Sequence, residues 1–260
     1  MSDAAKHNEQ IIDQFSRQAA AYTRLTSSLP NRADALRALL QPQPDDVALE
    51  VCCGPGPLAL DLAPAVRHVT GIDLTPAMLE QAAQRQAKAG ISNISWQLGD
   101  INRLPCDDAS YSIVMCSSAF HHLTDPSRAF AEMVRVCRPG GRIFIRDVTP
   151  TPDKMEQYDA IEKMRDPSHT HALTVDELRA LAVAMPVDEM RFATNVTPKL
   201  PLDAVLATSF PTECSLDDIR QLLREDAAAG TDRFGLSASL IDGAVHVAYR
   251  MTSAVWRKRD

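Results

Sequence analysis

The 260 residues carry 27 Lys and Arg against 34 Asp and Glu, a formal net charge of -7. An acidic chain is poorly suited to a phosphate backbone, so nucleic acid is not an expected partner, and Arg257-Lys258-Arg259 reads as a solvated tail. With 45% hydrophobic and 23% charged residues the composition excludes a disordered chain, and no apolar run is long enough to predict a membrane span.

Asn8 to Ala21 reads as a helix, with Ile11, Ile12 and Phe15 at helical spacing. Asn31 is a candidate cap for a second helix ending near Leu40, and the Pro-rich stretch 41–46 breaks the chain after it. Val47 to Cys52 is a short apolar run that predicts a buried strand. A Gly/Pro turn follows, then a helix over Leu58 to Ala65 and a second strand over Val66 to Ile72 that ends at Asp73. Pro76 to Gly90 has proline in its first turn and glycine at its end, which predicts a helix. Strands are predicted at Ile94 to Leu98, Tyr111 to Cys116 and Arg142 to Ile145, with a helix at Pro126 to Cys137 between the last two. Beyond Pro150, helices are predicted at Asp153 to Met164, Thr174 to Ala184 and Ser215 to Ala229, with Ser215 as cap. His246 to Ala254 reads as a final strand.

Apolar strands alternating with helices imply an α/β fold, a doubly wound and mostly parallel sheet covered on both faces. Ligands bind such sheets outside the carboxyl ends of the strands. The residues found there are therefore the candidates. Gly54 and Gly56, after the first strand, either shape a generic tight turn or let a ligand approach the backbone. Asp73, after the second, either accepts from a ribose diol or caps the next helix, a role Thr75 also fits. Asp100, after the third, either accepts from a purine amine or sits in a solvated turn.

Taken together, Glu50-Val51-Cys52-Cys53-Gly54-Pro55-Gly56-Pro57, Gly71-Ile72-Asp73-Leu74, Gly99-Asp100-Ile101, Ala119-Phe120-His121-His122-Leu123 and the run Glu132 to Val148 resemble the class I S-adenosylmethionine-dependent methyltransferases, in their UbiE-like (methyltransferase type 11) branch. The resemblance covers Val47 to Val148. It implies a Rossmann-like seven-stranded sheet with N-terminal helices and a helical cap insertion, all in one domain. Residues 1–42 would form a lid, 43–150 the cofactor-binding core, and 151–260 a substrate cap with the C-terminal strands. The cofactor would be S-adenosyl-L-methionine. Glu50, Cys52, Gly54 and Gly56 would lie round its methionyl part and ribose, with Asp73 on the ribose hydroxyls. Leu74 and Met78 would flank the adenine, Asp100 would accept from its amine, and Ile101 would pack on the ring. Ser117, with Ser118, would lie near the sulfonium, and Tyr22 of the leading helix would close over the site. The branch usually has glycine where Cys52 stands. Cysteine adds bulk there, and the expectation is that it avoids the positive φ open to glycine.

His121 is a candidate base for a phenol, amine or enol, and His122 is expected to hold backbone under the next helix. Asp147 is a candidate base or substrate anchor, its alternative a solvated loop acid. The segment Glu162 to His169 is similar to a cap element of the same branch. It predicts a helix end at Asp166, before Pro167, with Arg165, Ser168 and His169 facing the pocket and His169 a candidate catalytic residue. In the other reading Asp166 pairs with Arg165 and Ser168 caps the next turn.

The expected activity is methyl transfer to a small-molecule acceptor, with C-, O- and N-methylation all open. Two alternatives stand beside it. Gly54 to Ala59 also satisfies the G-x-G-x-x-A pattern of an NAD-dependent oxidoreductase, and a non-catalytic S-adenosylmethionine-binding protein would share the cofactor residues. None of the six cysteines forms a C-x-x-C pair and the first residues are polar. We therefore expect no metal site, no secretory leader and a cytoplasmic location, with a homodimer as one option for assembly.

Overall fold

The computed structural model describes residues 3–28 and 33–260. The expected cap at Asn31 lies outside them. The leading helix α1 runs Asp3–Ser28, longer at both ends than its apolar stripe suggests, and α2 follows at Ala33–Leu40. The core then alternates: β1 Val47–Val51, α3 Pro57–Leu62, β2 His68–Asp73, α4 Pro76–Ala89, β3 Ile94–Leu98, β4 Tyr111–Ser117, α5 Pro126–Val136 and β5 Cys137–Val148. The expected helix from Leu58 to Ala65 is α3 plus a separate 3-10 turn at Ala63–Ala65, because Pro64 cannot continue the helical ladder. The second strand accordingly starts at His68.

After the core come α6 Met155–Arg165, α7 Val175–Ala180, β6 Val187–Val196, β7 Leu200–Pro201, α8 Leu202–Leu206, α9 Leu216–Ala229, β8 Ser239–Ile241, β9 Ala244–Val247 and β10 Arg250–Lys258. The seven-stranded sheet has the order β3-β2-β1-β4-β5-β10-β6. Strands β1 to β5 are parallel, and β10 runs antiparallel to both β5 and β6. The order in which strands are added reverses between β1 and β4, so the crevice outside these strand ends is the natural ligand position.

One face of the sheet is packed by α5 and the residues around α7, with Phe130, Met133, Leu178 and Trp256 buried there. The other carries α2 and α3, through Leu36, Leu40, Leu58 and Leu62. A separate apolar cluster joins α6, α8 and α9 to a three-stranded sheet of order β7-β9-β8. It falls within residues 151–260, where a cap is expected.

Two further expectations need correction. The single strand over His246 to Ala254 is two strands in two sheets. The break falls at Ala248 and Tyr249, whose amides leave the ladder to donate to Leu236 O at 2.7 Å and Thr197 Oγ1 at 3.0 Å. Strand β6 was not expected at all: it is a sheet edge, exposed along most of its length, and lacks the apolar run of a buried strand.

Candidate active site

A cavity of about 480 Å³ lies across the carboxyl ends of the sheet, roofed by α1 and the cap. At its first strand end, Glu50 is buried and its two oxygens accept from Leu58 N at 3.3 Å and Ala59 N at 2.7 Å, the first amides of α3. Burial pushes its pKa up to about 8. Glu50 therefore lines the cavity while holding the α3 N-terminus, a second duty that the resemblance does not imply.

Cys52 has φ 50, against the expectation that cysteine would avoid the left-handed region. The tight turn into Gly54 dictates the backbone here, and the half-buried side chain packs against Cys116 while lining the cavity. Gly54 (φ 50) lines the cavity, and a Cβ built on it meets nothing within 4 Å, so this bend opens onto free space that a ligand can fill. Gly56 plays a different part from the one expected. It does not line the cavity: with φ 70 it caps α3, and a Cβ there would fall 2.3 Å from the Trp96 ring.

Asp73 ties the second strand end to the first. Its Oδ2 accepts from Gly54 N at 2.7 Å and its Oδ1 from Thr75 N at 2.8 Å. Burial raises its pKa, with these amides pulling the other way. Thr75 caps α4 by position only, without a side-chain hydrogen bond. Leu74, Met78 and Ile101 line the same end. Asp100 is held by Asn102, whose backbone N and Nδ2 donate to Oδ1 at 2.8 and 3.0 Å. Its Oδ2 accepts from Asn8 Nδ2 of α1 at 2.9 Å. Tyr22, edge-on to Phe15, also lines the cavity, as do Ser117 and Ser118.

At the other end His121 lines the cavity on a 3-10 turn, its Nδ1 2.6 Å from Asp147 Oδ1. Asp147 is buried and fully engaged. Oδ1 also accepts from Val148 N at 2.7 Å, and Oδ2 accepts from Ala119 N at 3.0 Å and Phe120 N at 2.7 Å. It does not line the cavity, which corrects its expected role as a base or substrate anchor: it orients His121. Burial alone would raise the Asp147 pKa, but His121 and the amides hold it below the ordinary carboxylate value. Burial alone would lower that of His121, but Asp147 holds it above 6.5. An ionised Asp147 fixes the proton on Nδ1 and leaves Nε2 as the basic nitrogen.

His122 also lines the cavity, and its ring has a side-chain partner where a backbone one was expected. Its ring stacks edge-on against Phe15, and its Nδ1 is 3.1 Å from Ser168 Oγ. Burial, then His121, drives its pKa down to about 3. The helix end predicted at Asp166 is present. Of the three residues expected to face the pocket, only Arg165 does. Its Nη2 and Nε donate to Glu162 Oε2 at 2.6 and 3.2 Å, so its partner is Glu162, not Asp166. Ser168 is fully buried and donates to Asp166 Oδ1 at 2.6 Å. His169 is buried behind His121, outside the cavity lining, and bonded to Asp159 at 2.7 Å. Direct contact of His169 with a substrate is thereby corrected.

Sequence reasoning missed Asn8, Tyr158, Glu162, Asn195, Thr197 and Tyr249, all of which line the cavity. Asn195 and Thr197 follow from β6, the strand that was not foreseen. Asn8 carries no signal beyond its place on the leading helix.

A methyltransferase-domain family profile matches residues 48–141. The chain is 31% identical over 135 residues to the uncharacterized methyltransferase YcgJ of Bacillus subtilis, covering 51% of this chain and 53% of that protein. It is 32% identical to a 27-O-demethylrifamycin SV methyltransferase of Amycolatopsis mediterranei, covering 58% and 54%. To a demethylmenaquinone methyltransferase of Deinococcus radiodurans it is 38% identical, covering 39% and 43%. In these matches the chain spans about half the length of its curated relatives or less. The fold matches the crystal structure of YcgJ with TM-score 0.74 at 22% identity, over 88% of this chain and 98% of that one. A putative methyltransferase of Bacillus halodurans matches with TM-score 0.76 at 21% identity, over 88% and 99%.

Proposed function

The chain belongs to the class I S-adenosylmethionine-dependent methyltransferases, and from that premise we propose that it transfers a methyl group from S-adenosylmethionine to a small-molecule acceptor in the cavity between its sheet and its cap. The carrying observation is that one crevice has two carboxylates at successive strand ends, Asp73 and Asp100, and a carboxylate-oriented histidine, His121, at its far end. The residues present fit the donor. Gly54 leaves open space beside the first strand end, Asp73 suits the ribose hydroxyls, Asp100 suits an exocyclic amine, and Leu74, Met78 and Ile101 supply apolar walls. The donor supplies a methyl group already activated by positive sulfur, so the protein's share is alignment and exclusion of water.

His121 is the base in this reading, which favours an acceptor that gives up a proton, a hydroxyl or an enol. Arg165, tethered to Glu162, and the phenols of Tyr158 and Tyr249 offer polar contacts to the remainder of that acceptor. Residues 1–42 act as the lid, 43–150 as the cofactor-binding core and 151–260 as the substrate cap with the C-terminal strands. The six free cysteines, with no helix among the described residues long and apolar enough to cross a membrane, support a reducing cytoplasm as its place of work. One copy of the chain supplies every residue named.

The antiparallel β10 between β5 and β6 is not the all-parallel order of a dinucleotide-binding sheet, which counts against the oxidoreductase alternative. A thermal-shift panel tests the proposal. S-adenosylmethionine and S-adenosylhomocysteine are expected to raise the melting temperature and NAD to leave it unchanged. Stabilisation by NAD alone would overturn it. Binding of the donor without turnover of any hydroxylated acceptor in a broad panel would point to the non-catalytic protein.

A further inference from the structure

The cavity extends past His121 and the cofactor end onto one face of the sheet. Ser117, Arg146, Ser253 and Ala193 all line it and stand side by side across four strands. Ser117 of β4 pairs with Arg146 of β5, Arg146 with Ser253 of β10, and Ser253 with Ala193 of β6. Residues paired across a sheet point to the same face. Met115, Phe144 and Val255, two places away on the same strands, belong to the apolar cluster of Leu36 and Leu58, so that face is the one under α2 and α3. The row spans three strand spacings, about 14 Å. It starts at the strand end where the sulfonium is expected and finishes at the sheet edge opposite β3. Leu36 and Leu39 of α2, with Val148 and Met251 as the next pair along β5 and β10, wall it with apolar surface. Ala193 and Asn195 line the cavity and are exposed, so this arm reaches solvent at the β6 edge.

Arg146 sets the chemistry of the arm. It stands one place before Asp147, and successive strand residues leave opposite faces. The end of β5 thus turns a carboxylate toward His121 and a guanidinium into the arm. The acids that line the cavity are each engaged elsewhere. Glu50 and Asp73 hold backbone amides, Asp100 holds Asn8 and Asn102, Glu162 holds Arg165, and Asp166 holds Gln18 and Ser168. Neither the row nor its walls include an acid among the described residues. A half-buried guanidinium set between two serines, with apolar walls, suits one anionic oxygen group, because its hydrogen bonds to such a group are charge-assisted.

We propose that this arm is the acceptor's own entrance and binding groove, and that the acceptor is an elongated carboxylic acid. Its carboxylate lies on Arg146, between the hydroxyls of Ser117 and Ser253. Its apolar body runs under α2 toward the β6 edge, and its hydroxyl or enol points back to His121. The carboxylate and the reacting oxygen are then one to two strand spacings apart, about 5–10 Å. The donor end, with Asp73 and Asp100, lies toward the opposite edge of the sheet, so the acceptor loads and its product leaves with S-adenosylhomocysteine still in place. Arg146 and Ala193 determine specificity and take no part in proton transfer.

The groove rests on the methyl-transfer reading for calling its occupant an acceptor, but its test reads binding alone. Decanoate, a straight-chain carboxylate, and decan-1-ol, its uncharged counterpart, are titrated by calorimetry into the full chain saturated with S-adenosylhomocysteine. Decanoate is expected to bind at about one equivalent per chain and at least about tenfold more tightly than decanol. Arg146→Gln is expected to bring decanoate down to the decanol level, and Arg146→Lys, which keeps the charge, to retain part of the preference. Ala193→Trp enlarges an exposed edge position. It is expected to weaken both probes at least about tenfold and to leave the affinity for S-adenosylhomocysteine unchanged. No binding of decanoate to wild type, equal binding to wild type and Arg146→Gln, or unaltered binding to Ala193→Trp would each overturn the proposal. So would binding at several equivalents that no variant changes, which is adsorption to the surface. Loss of decanol along with decanoate in both Arg146 variants would show that Arg146 supports the fold and not the specificity, which overturns it as well. A chain that binds no S-adenosylhomocysteine loses the methyl-transfer reading, and the same titrations on the free protein still decide whether the arm takes a carboxylate.

Discussion

The most exacting test of the site's electrostatics is Glu50→Gln. Two effects compete at Glu50. Its oxygens accept from Leu58 N and Ala59 N, an arrangement suited to an anion at a helix N-terminus. Against that, complete burial pushes its pKa from 4.5 up to about 8, so at neutral pH burial wins and the acid is mostly protonated. The sign follows from linkage. A folded pKa raised above the unfolded one gives stability that is fully present below 4.5 and is lost as pH rises through about 8. Each pKa unit is about 1.4 kcal/mol, so with the unfolded group already ionised, wild type should lose about 2 kcal/mol between pH 6 and pH 8 from Glu50 alone. The substituted glutamine does not titrate. It turns one N–H donor toward a helix amide at a constant cost of about 1–2 kcal/mol, the same at every pH. Urea unfolding of both proteins at pH 6, 7 and 8 isolates the term, because other groups cancel in the difference. Wild type should be the more stable at pH 6 and lose that advantage by pH 8. A difference that stays flat over this range would mean the helix amides hold Glu50 ionised, and the burial reasoning would fail.

Three further substitutions address the other strand ends. Cys52→Gly relieves a left-handed L-residue worth about 1 kcal/mol and gives up some packing against Cys116, so calorimetry should show a melting temperature equal to wild type or about 2 °C higher. A clear drop would show that the thiol contact outweighs the strain. Asp100→Ala should weaken S-adenosylhomocysteine binding about tenfold by titration calorimetry, the loss of one charge-assisted hydrogen bond, and unchanged affinity would remove Asp100 from the cofactor site. Asp147→Asn should cost about 2–4 kcal/mol in chemical unfolding, because an amide meets the Ala119 and Phe120 N–H groups where a carboxylate did. It should also move the acid limb of kcat/KM to lower pH, since Asp147 is what holds the His121 pKa above 6.5 against burial. The stability that wild type loses as pH rises through the His121 pKa should vanish with it. An acid limb that stays put would mean another group is the base.

The inner strands of the parallel half, β1 and β4 above all, were readable because they are buried on both faces and must be apolar nearly throughout, so composition marks them. That signal fails at the edges of the fold. Strand β6 pairs on one side only and leaves Asp188, Glu189, Met190 and Arg191 in water, so no apolar periodicity announces it. Strands β9 and β10 fail for the opposite reason. The run from His246 to Ala254 is apolar enough for one strand, and what divides it is a pair of tertiary hydrogen bonds, to Leu236 and Thr197, that leave no local trace. At Cys52 the local rule about positive φ was sound as a cost and wrong as a prohibition: the turn between β1 and α3 is fixed by Gly54, Gly56 and the core beneath it, and a penalty of about 1 kcal/mol is small against that.

The site shows the same division between what a motif carries and what the fold brings together. Asp73, Asp100, His121 and Asp147 were legible one by one, but the bond between His121 and Asp147 joins a turn after β4 to the end of β5, and only parallel neighbours make it. The leading helix adds a link that no motif contains. Asn8 donates to Asp100 at the cofactor end, while His7 bonds His122 O at 2.7 Å and Gln18 donates to Asp166 at 3.3 Å at the acceptor end. Each bond is worth only about 1 kcal/mol net, because the same groups would find water if the helix lifted. The Asn8 amide also presents to Asp100 the same kind of N–H donor as the exocyclic amine of an adenine. Under the proposed function, donor entry then exchanges one N–H donor for another on Oδ2 of that half-buried carboxylate, while Asn102 keeps Oδ1. If α1 is the lid of that proposal, donor binding and acceptor access would be coupled, since freeing Asp100 for an adenine would loosen the helix that also bonds His122 O beside His121.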